Sequence, residues 1–125
     1  MNDCIPHRGL TLFNSGHFFD AHEALEDVWR EAPRHGHRRR HLQGLVQLAV
    51  AFHHQSTGNR VGACSVLERA LRNMRGAEDS FPEIDWERLR GSLEPWRKDL
   101  ADGRRRNEGS RPLELPKVLL RDKAL

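Results

Sequence analysis

Apolar residues recur along this chain with the spacing of α-helices, and no segment alternates apolar and polar residues as a half-buried strand would. Glycine, asparagine and proline separate the helical stretches and act as turn or stop signals. The pattern predicts helical regions at about 6–13, 17–31, 37–56, 60–75 and 85–101. Gly91, Ser92 and Pro95 fall inside the last region, and we expect them to break or kink it.

The third region, about 37–56, has apolar residues on nearly every side, which is typical of a central, buried helix. These residues are Leu42, Leu45, Val46, Leu48, Val50 and Phe52. We therefore predict an all-α, single-domain helical bundle of about five helices over residues 1–103. Residues 104–125 are basic and contain two prolines, so we expect an extended tail there. Its apolar residues are candidates for docking on the bundle: Leu113, Leu115, Val118 and Leu119.

A weak internal echo relates residues 15–26 to residues 57–68 at an offset of 42 positions. The coinciding pairs are Gly16 and Gly58, Ala21 and Ala63, Leu25 and Leu67, and Glu26 and Glu68. Such a match suits two close-packed helical hairpins, as in helical repeats. His22 and Glu23 are replaced by Cys64 and Ser65 in the second copy, so hairpin packing does not by itself require a His-Glu pair.

The 125-residue length fits one domain, and the first residues lack the apolar core of a signal peptide. The most apolar run, residues 42–52, is too short to cross a bilayer. The two cysteines have neither metal-binding nor redox spacing. These features predict a cytoplasmic protein with no membrane contact.

Positive charge is concentrated in two runs, although the formal net charge is only +3. Residues 34–41 contain Arg34, Arg38, Arg39 and Arg40 with three histidines and no acid, and residues 104–106 are all arginine. Such runs could bind phosphate or RNA. We favour a solvated loop and a tail instead, and expect His35, His37 and His41 at the surface.

The sequence His22-Glu23-Ala24-Leu25-Glu26 places ionisable groups within an apolar helical stripe. That stripe is formed by Phe18, Phe19, Leu25 and Trp29. His22 and Glu26 fall in its middle, where burial is costly unless each group finds a partner or a metal. Another helix is therefore expected to supply that partner.

The third helix carries Gln43, Gln47 and His54 on one face, flanked by the small residues Gly44 and Ala51. Two buried helices that each carry a polar line are expected to turn those lines toward each other. We therefore predict a buried cluster whose members are His22, Glu26, Gln47 and His54, with Gln43 and Glu23 at its margin.

Three interpretations of this cluster compete. A hydrogen-bonded network would fix the register of the helices. Alternatively, His22, Glu26 and His54 would bind zinc, iron or manganese in a metal-dependent hydrolase or oxidoreductase, with Glu23 as acid or base. The third interpretation is a Glu–His pair that acts as acid and base without a metal. No obvious nucleophile accompanies this pair. We weight the structural network somewhat above the metal site.

Two known metal patterns do not fit, and other kinds of function remain open. A zincin needs a second histidine where Glu26 stands, and a di-metal carboxylate bundle needs two Glu-x-x-His motifs. A helical-repeat adaptor could use the hairpin echo to form a groove for a peptide. Exposed tryptophan or leucine residues on the fifth helix could support a homo-oligomer.

Three motifs in order resemble those of the family catalogued as domain of unknown function 309. They are Phe13-Asn14-x-Gly16-x-Phe18-Phe19-x-Ala21-His22-Glu23-x-Leu25-Glu26-x-x-Trp29, Leu42-Gln43-Gly44-Leu45-Val46-Gln47-x-Ala49-x-Ala51-x-x-His54, and Gly58-Asn59-x-x-Gly62-Ala63. Asp20 stands where the family more often has glutamate. The resemblance covers about residues 13–75 and implies a small all-α bundle of bacteria, archaea or plastids. It implies no established activity.

Overall fold

The computed structural model describes residues 5–102 and 112–121, which form five α-helices and one short 3-10 helix without a strand. The α-helices are α1 (His7–Asn14), α2 (Phe18–Glu31), α3 (Arg38–Ser56), α4 (Arg60–Asn73) and α5 (Trp86–Asp102). The 3-10 turn, Ala77–Asp79, lies in the connection between α4 and α5. The predicted all-α fold is confirmed.

Helix α3 is the centre of the bundle, as its sequence predicts. It packs against α2 on one side and α4 on the other. Leu42, Leu45, Leu48 and Phe52 are all at most 1% exposed. The ring of Phe52 packs nearly at right angles to the rings of Phe13 from α1 and Trp96 from α5, which joins these helices to the same core.

The sequence echo corresponds to two equivalent helical hairpins, α1–α2 and α3–α4. Helices α2 and α4 each contain 14 residues and start 42 positions apart. The turns before them contain Gly16 and Gly58, whose φ angles of 83° and 85° lie in the left-handed region that glycine adopts without strain. The paired residues within the helices are fully or almost fully buried in both copies: Ala21, Ala63, Leu25 and Leu67.

Helix α5 continues through Pro95, so a break in the fifth helix is wrong, while the alternative of a kink stays a prediction. Proline lacks the N–H that would donate to the carbonyl of Gly91 one turn earlier. Gly91 and Pro95 both lie on the exposed side of α5, where water can satisfy that carbonyl. The proline therefore costs one hydrogen bond without ending the helix.

Residues 112–121 run in an extended conformation against the helices. Leu120 forms an isolated antiparallel bridge with Ile84, just before α5. Val118 is 3% exposed and joins the core, whereas Leu115 remains 48% exposed. The division into a 1–103 domain and a 104–125 tail stays a prediction, and the arginines at 104–106 lie outside the described residues.

Within the two described ranges, no helix has the length and apolar character needed to span a membrane.

Candidate functional site

His22 and Glu26 contact each other at the surface of α2 and are not buried. His22 Nε2 lies 2.9 Å from Glu26 Oε2, and Arg30 Nη2 donates to Glu26 Oε1 over 2.9 Å. The side chains of His22 and Glu26 are 25% and 27% exposed. The expectation that this pair is buried is therefore wrong.

The error arises from the assignment of Phe19 to the apolar stripe. Phe19 is 51% exposed, and the buried residues of α2 are Phe18, Ala21 and Leu25. Leu25 therefore lies at the centre of the buried stripe, between Ala21 and Phe18 around the helix. His22 and Glu26, one position further on, fall at the edge of that stripe.

The polar line of α3 faces α4 and not α2. Gln47 Oε1 accepts a hydrogen bond from Asn73 Nδ2 over 2.7 Å. His54 Nδ1 lies 3.3 Å from Asn59 Nδ2, at the start of α4. Gln43 is exposed. The polar residues of α3 thus have partners or surroundings that differ from those of His22 and Glu26. These residues are Gln43, Gln47 and His54.

The structure therefore does not bring the proposed metal ligands together. His22 and Glu26 are paired on α2, while His54 lies at the α3–α4 turn beside Asn59. Across residues 5–102 and 112–121, no group of three histidine, cysteine or carboxylate side chains is arranged to hold a metal ion. Glu23, the expected acid or base, is exposed on α2.

A different set of rings meets between α2 and α3. The ring of Phe19 lies 5.7 Å from that of His22 and 5.4 Å from that of His53, measured between centroids. His53 is partly buried, and its ring centroid lies 6.2 Å from that of the next residue, His54. We call the exposed surface formed by Phe19, His22 and His53 the aromatic face.

The polar pattern of the third helix did not identify His53 as a neighbour of Phe19. A signal was present, because His53 follows Ala49 by four positions and Ala49 is fully buried in the core. Residues four apart share a side of a helix, so His53 continues a buried side of α3 to its exposed end.

The helix that carries Phe19 and His22 is rich in negative charge. Helix α2 has five acidic residues and one arginine in a chain whose formal net charge is +3. Four of the acids are exposed: Asp20, Glu23, Asp27 and Glu31. Glu23 follows Phe19 by four positions and therefore lies on the same side of the helix.

The arginines that begin α3 contact the protein itself, which contradicts the expectation of a solvated loop for these residues. Arg38 donates to the Ser80 carbonyl over 3.2 Å and lies 4.4 Å from the centroid of the Phe81 ring. Arg40 donates to the Arg75 carbonyl over 3.2 Å. Arg38 and Arg39 are thus partly buried, whereas Arg34 and Arg40 remain exposed for phosphate or RNA.

His41 is also buried, so the expectation that it lies at the surface is wrong. It is 1% exposed. Its Nδ1 lies 2.6 Å from Ser80 Oγ and its Nε2 lies 3.0 Å from the Arg75 carbonyl. Burial lowers the pKa of His41 from its ordinary value, against the opposing effect of the Arg75 carbonyl. His41 thus ties α3 to the α4–α5 connection.

The fold and this surface define an all-α protein of paired helical hairpins that presents an aromatic and acidic face. Residues 7–66 match the model of the family described as "Domain of unknown function (DUF309)". Over these residues the chain is similar to that family. The matched region contains α1, α2, α3 and the first half of α4, and hence the whole aromatic face.

Two curated proteins are similar to this chain, and both are described as uncharacterized. One, from Aquifex aeolicus (strain VF5), is 33% identical over 82 residues, which is 66% of this chain and 24% of the relative. The other, YpuF of Bacillus subtilis (strain 168), is 38% identical over 67 residues, or 54% of this chain and 38% of YpuF. The chain therefore spans well under half the length of these relatives.

Proposed function

We propose that this protein is a protein-interaction module and that its aromatic face binds a basic segment of a partner protein. The observation that carries the proposal is the 51% exposure of Phe19, a large apolar ring that the rest of the fold leaves open to solvent. Covering the exposed half of such a ring contributes about 1 kcal/mol to binding. Aromatic side chains at the centre of a contact surface commonly dominate its affinity.

The charge around Phe19 indicates the chemistry of the partner. Asp20, Glu23 and Asp27 are exposed on the same helix and would attract lysine and arginine side chains. An arginine side chain could also lie over the Phe19 ring, which favours cations. The partner segment is therefore basic and carries at least one apolar or guanidinium group for Phe19.

The contacts of Glu26 with His22 and Arg30 support this face. With hydrogen on Nε2, His22 donates to Glu26, which orients the imidazole beside Phe19. A surface pair of this spacing contributes only about 0.3–0.5 kcal/mol to stability. Its role in the proposal is to hold His22 in place for the partner.

Selection from a randomised peptide library displayed on beads, followed by fluorescence anisotropy with the selected peptides, tests the proposal. We expect enrichment of lysine and arginine together with an aliphatic or aromatic residue. The variant Phe19→Ser should weaken binding by at least about tenfold. Raising the salt concentration should weaken it further, because exposed charges are screened.

The matched control is Val61→Ser, which removes another exposed apolar side chain, 83% exposed at the start of α4. Both substitutions are at exposed positions, so neither should change the thermal midpoint of unfolding much. The proposal is overturned if no peptide is selected, if the selected peptides are acidic, or if Phe19→Ser and Val61→Ser bind alike.

A further inference from the structure

Residues 112–121 are held to the helices chiefly through their main chain. Asn14, at the end of α1, donates from Nδ2 to the Val118 carbonyl over 2.9 Å and accepts from the Val118 N–H over 2.7 Å. Trp96 Nε1 donates to the Glu114 carbonyl over 2.8 Å. An amide that pairs with both main-chain groups of one residue recognises an extended chain as a neighbouring strand would.

The loop before α5 adds a second pair of main-chain hydrogen bonds. The N–H of Asp85 donates to the Leu119 carbonyl over 2.8 Å, and the N–H of Arg121 donates to the Glu83 carbonyl over 2.7 Å. These bonds flank the bridge between Ile84 and Leu120. The segment is therefore added to the edge of a short extended loop, in the manner of a bound peptide.

Only a few side chains of the segment are buried. Val118 is 3% exposed, and Pro116 is also buried two positions before it. Leu115 and Leu120 are about half exposed. A cleft of about 540 Å³ remains beside the segment, lined on α5 by Arg88, Ser92, Pro95 and Trp96. The groove thus holds an extended main chain with Val118 as its buried anchor. Open space remains beside that chain.

We propose that the groove formed by Asn14, the 83–85 loop and Trp96 is a binding site for extended peptides, and that residues 112–121 are an intramolecular ligand that a partner peptide displaces. The segment itself shows what ligand the site takes: an extended peptide with a β-branched aliphatic residue two positions after a proline. This site uses residues other than the aromatic face and so goes beyond the function proposed above.

Covalent linkage explains why the intramolecular ligand occupies the groove. The segment follows α5 through residues 103–111, so it meets the groove at an effective concentration of roughly millimolar. A separate peptide must compete with this concentration. Weakening the Val118 anchor should therefore open the site to added peptide.

The experiment uses the full-length chain and a fluorescent synthetic peptide with the sequence of residues 112–121. Val118→Asp places a charge at the buried anchor and should release the segment. We expect this variant to bind the peptide at least about tenfold more tightly than the unchanged chain. The matched control Leu115→Asp, at an exposed position of the segment, should behave as the unchanged chain does.

Two further samples test main-chain recognition itself. A peptide methylated on the Val118 nitrogen cannot donate to Asn14 and should lose binding to Val118→Asp. The double variant Asn14→Leu, Val118→Asp should not bind the unmodified peptide. A solely structural tail would produce neither effect.

Circular dichroism and thermal unfolding show whether each variant is folded, and Val118→Ser serves as a milder anchor variant. Folded variants that fail to bind the peptide overturn the proposal, as does equal binding of the methylated peptide. Unfolding of both Val118 variants also overturns it, because the segment would then be an indispensable part of the core.

Discussion

The guanidinium of Arg39 lies over the ring of Trp29, with its Cζ atom 4.3 Å from the ring centroid. The same group donates from Nη1 to the carbonyls of Trp29 and Ala32 over 3.0 and 3.1 Å. These carbonyls lie at the end of α2, where helical N–H partners run out, and that of Trp29 also accepts from the Ala32 N–H over 3.2 Å. The first turn of α3 therefore caps the preceding helix and fixes the angle between them.

Replacing Arg39 with lysine should destabilise the fold even though the charge is kept. Lysine lacks the planar guanidinium that lies over the Trp29 ring and holds Nη1 between the two carbonyls. We expect a loss of about 1–2 kcal/mol in the free energy of unfolding, measured by urea denaturation. Arg34→Lys, at an exposed position in the same basic run, is the control. Equal stability of the two variants would show that Arg39 is not a cap.

Adding a methyl group at Gly44 should destabilise the contact between α3 and α4. A Cβ atom there would lie 2.6 Å from Met74 Cγ, 3.1 Å from the Met74 nitrogen and 3.2 Å from the Ala70 carbonyl oxygen. The Met74 side chain can move aside, but the two main-chain atoms can do so only if the helices separate. Gly44→Ala should therefore cost about 1–3 kcal/mol in unfolding free energy.

Gly91→Ala is the matched substitution on α5, because a Cβ at this position meets nothing within 4 Å. Alanine has the higher helix propensity, so this variant should gain up to about 1 kcal/mol. Chemical denaturation of both variants measures the difference. A destabilised Gly91→Ala together with a stable Gly44→Ala would contradict the helix packing described above.

The burial of His41 predicts a loss of stability on acidification. Its pKa in the folded protein lies below the ordinary 6.5, so between these two values the unfolded chain binds more protons than the folded one. The free energy of unfolding therefore falls as the pH drops below about 6.5 and levels off below the folded pKa. Arg40 and His37 add to the lowering, while Asp79 opposes it.

His41→Gln should flatten this dependence, since glutamine does not titrate and keeps hydrogen-bonding groups. The dependence of stability on pH is measured by thermal unfolding between pH 7.5 and pH 5, values chosen to bracket about 6.5. His35→Gln, at an exposed position, should retain the slope of the unchanged chain. If both variants follow the same curve, His41 does not control acid stability in this range.

Glu78 should contribute stability that is lost only in strong acid. Arg90 donates from both terminal nitrogens to its carboxylate, over 2.6 and 3.0 Å. These hydrogen bonds, together with the charge of Arg90, lower the pKa of Glu78 to about 2 from 4.5. The contribution is complete above pH 4.5 and disappears as the pH falls toward 2.

The side chain of Glu78 is 53% exposed, so solvent screening limits this contribution to about 1 kcal/mol or less. Glu78→Gln should remove part of the acid-dependent loss in denaturant titrations across that range. Glu31→Gln, at an exposed position on α2, should leave it unchanged. A Glu78→Gln variant as acid-sensitive as the unchanged chain would contradict the assignment.

Local patterns in the sequence were sufficient to predict the helices and their order. The spacing of apolar residues identifies α1 to α5 within a residue or two at each end, and the apolar surface of α3 marks it as central. The echo at 42 positions predicts the two equivalent hairpins. These properties depend on residues close together in the chain, so the sequence alone determined them.

Which side of each helix meets which neighbour was decided only by the tertiary structure. A periodic stripe shows which side of α2 is apolar, but packing buries Phe18, Ala21 and Leu25 and leaves Phe19, at the margin of that stripe, 51% exposed. Likewise Gln47 and His54 share one side of α3, yet Gly44 brings that side against α4 and away from His22. The docking of Val118 on Asn14 joins residues 104 positions apart. Such contacts depend on how helices of fixed shape pack together. The local periodicity of the sequence does not predict that packing.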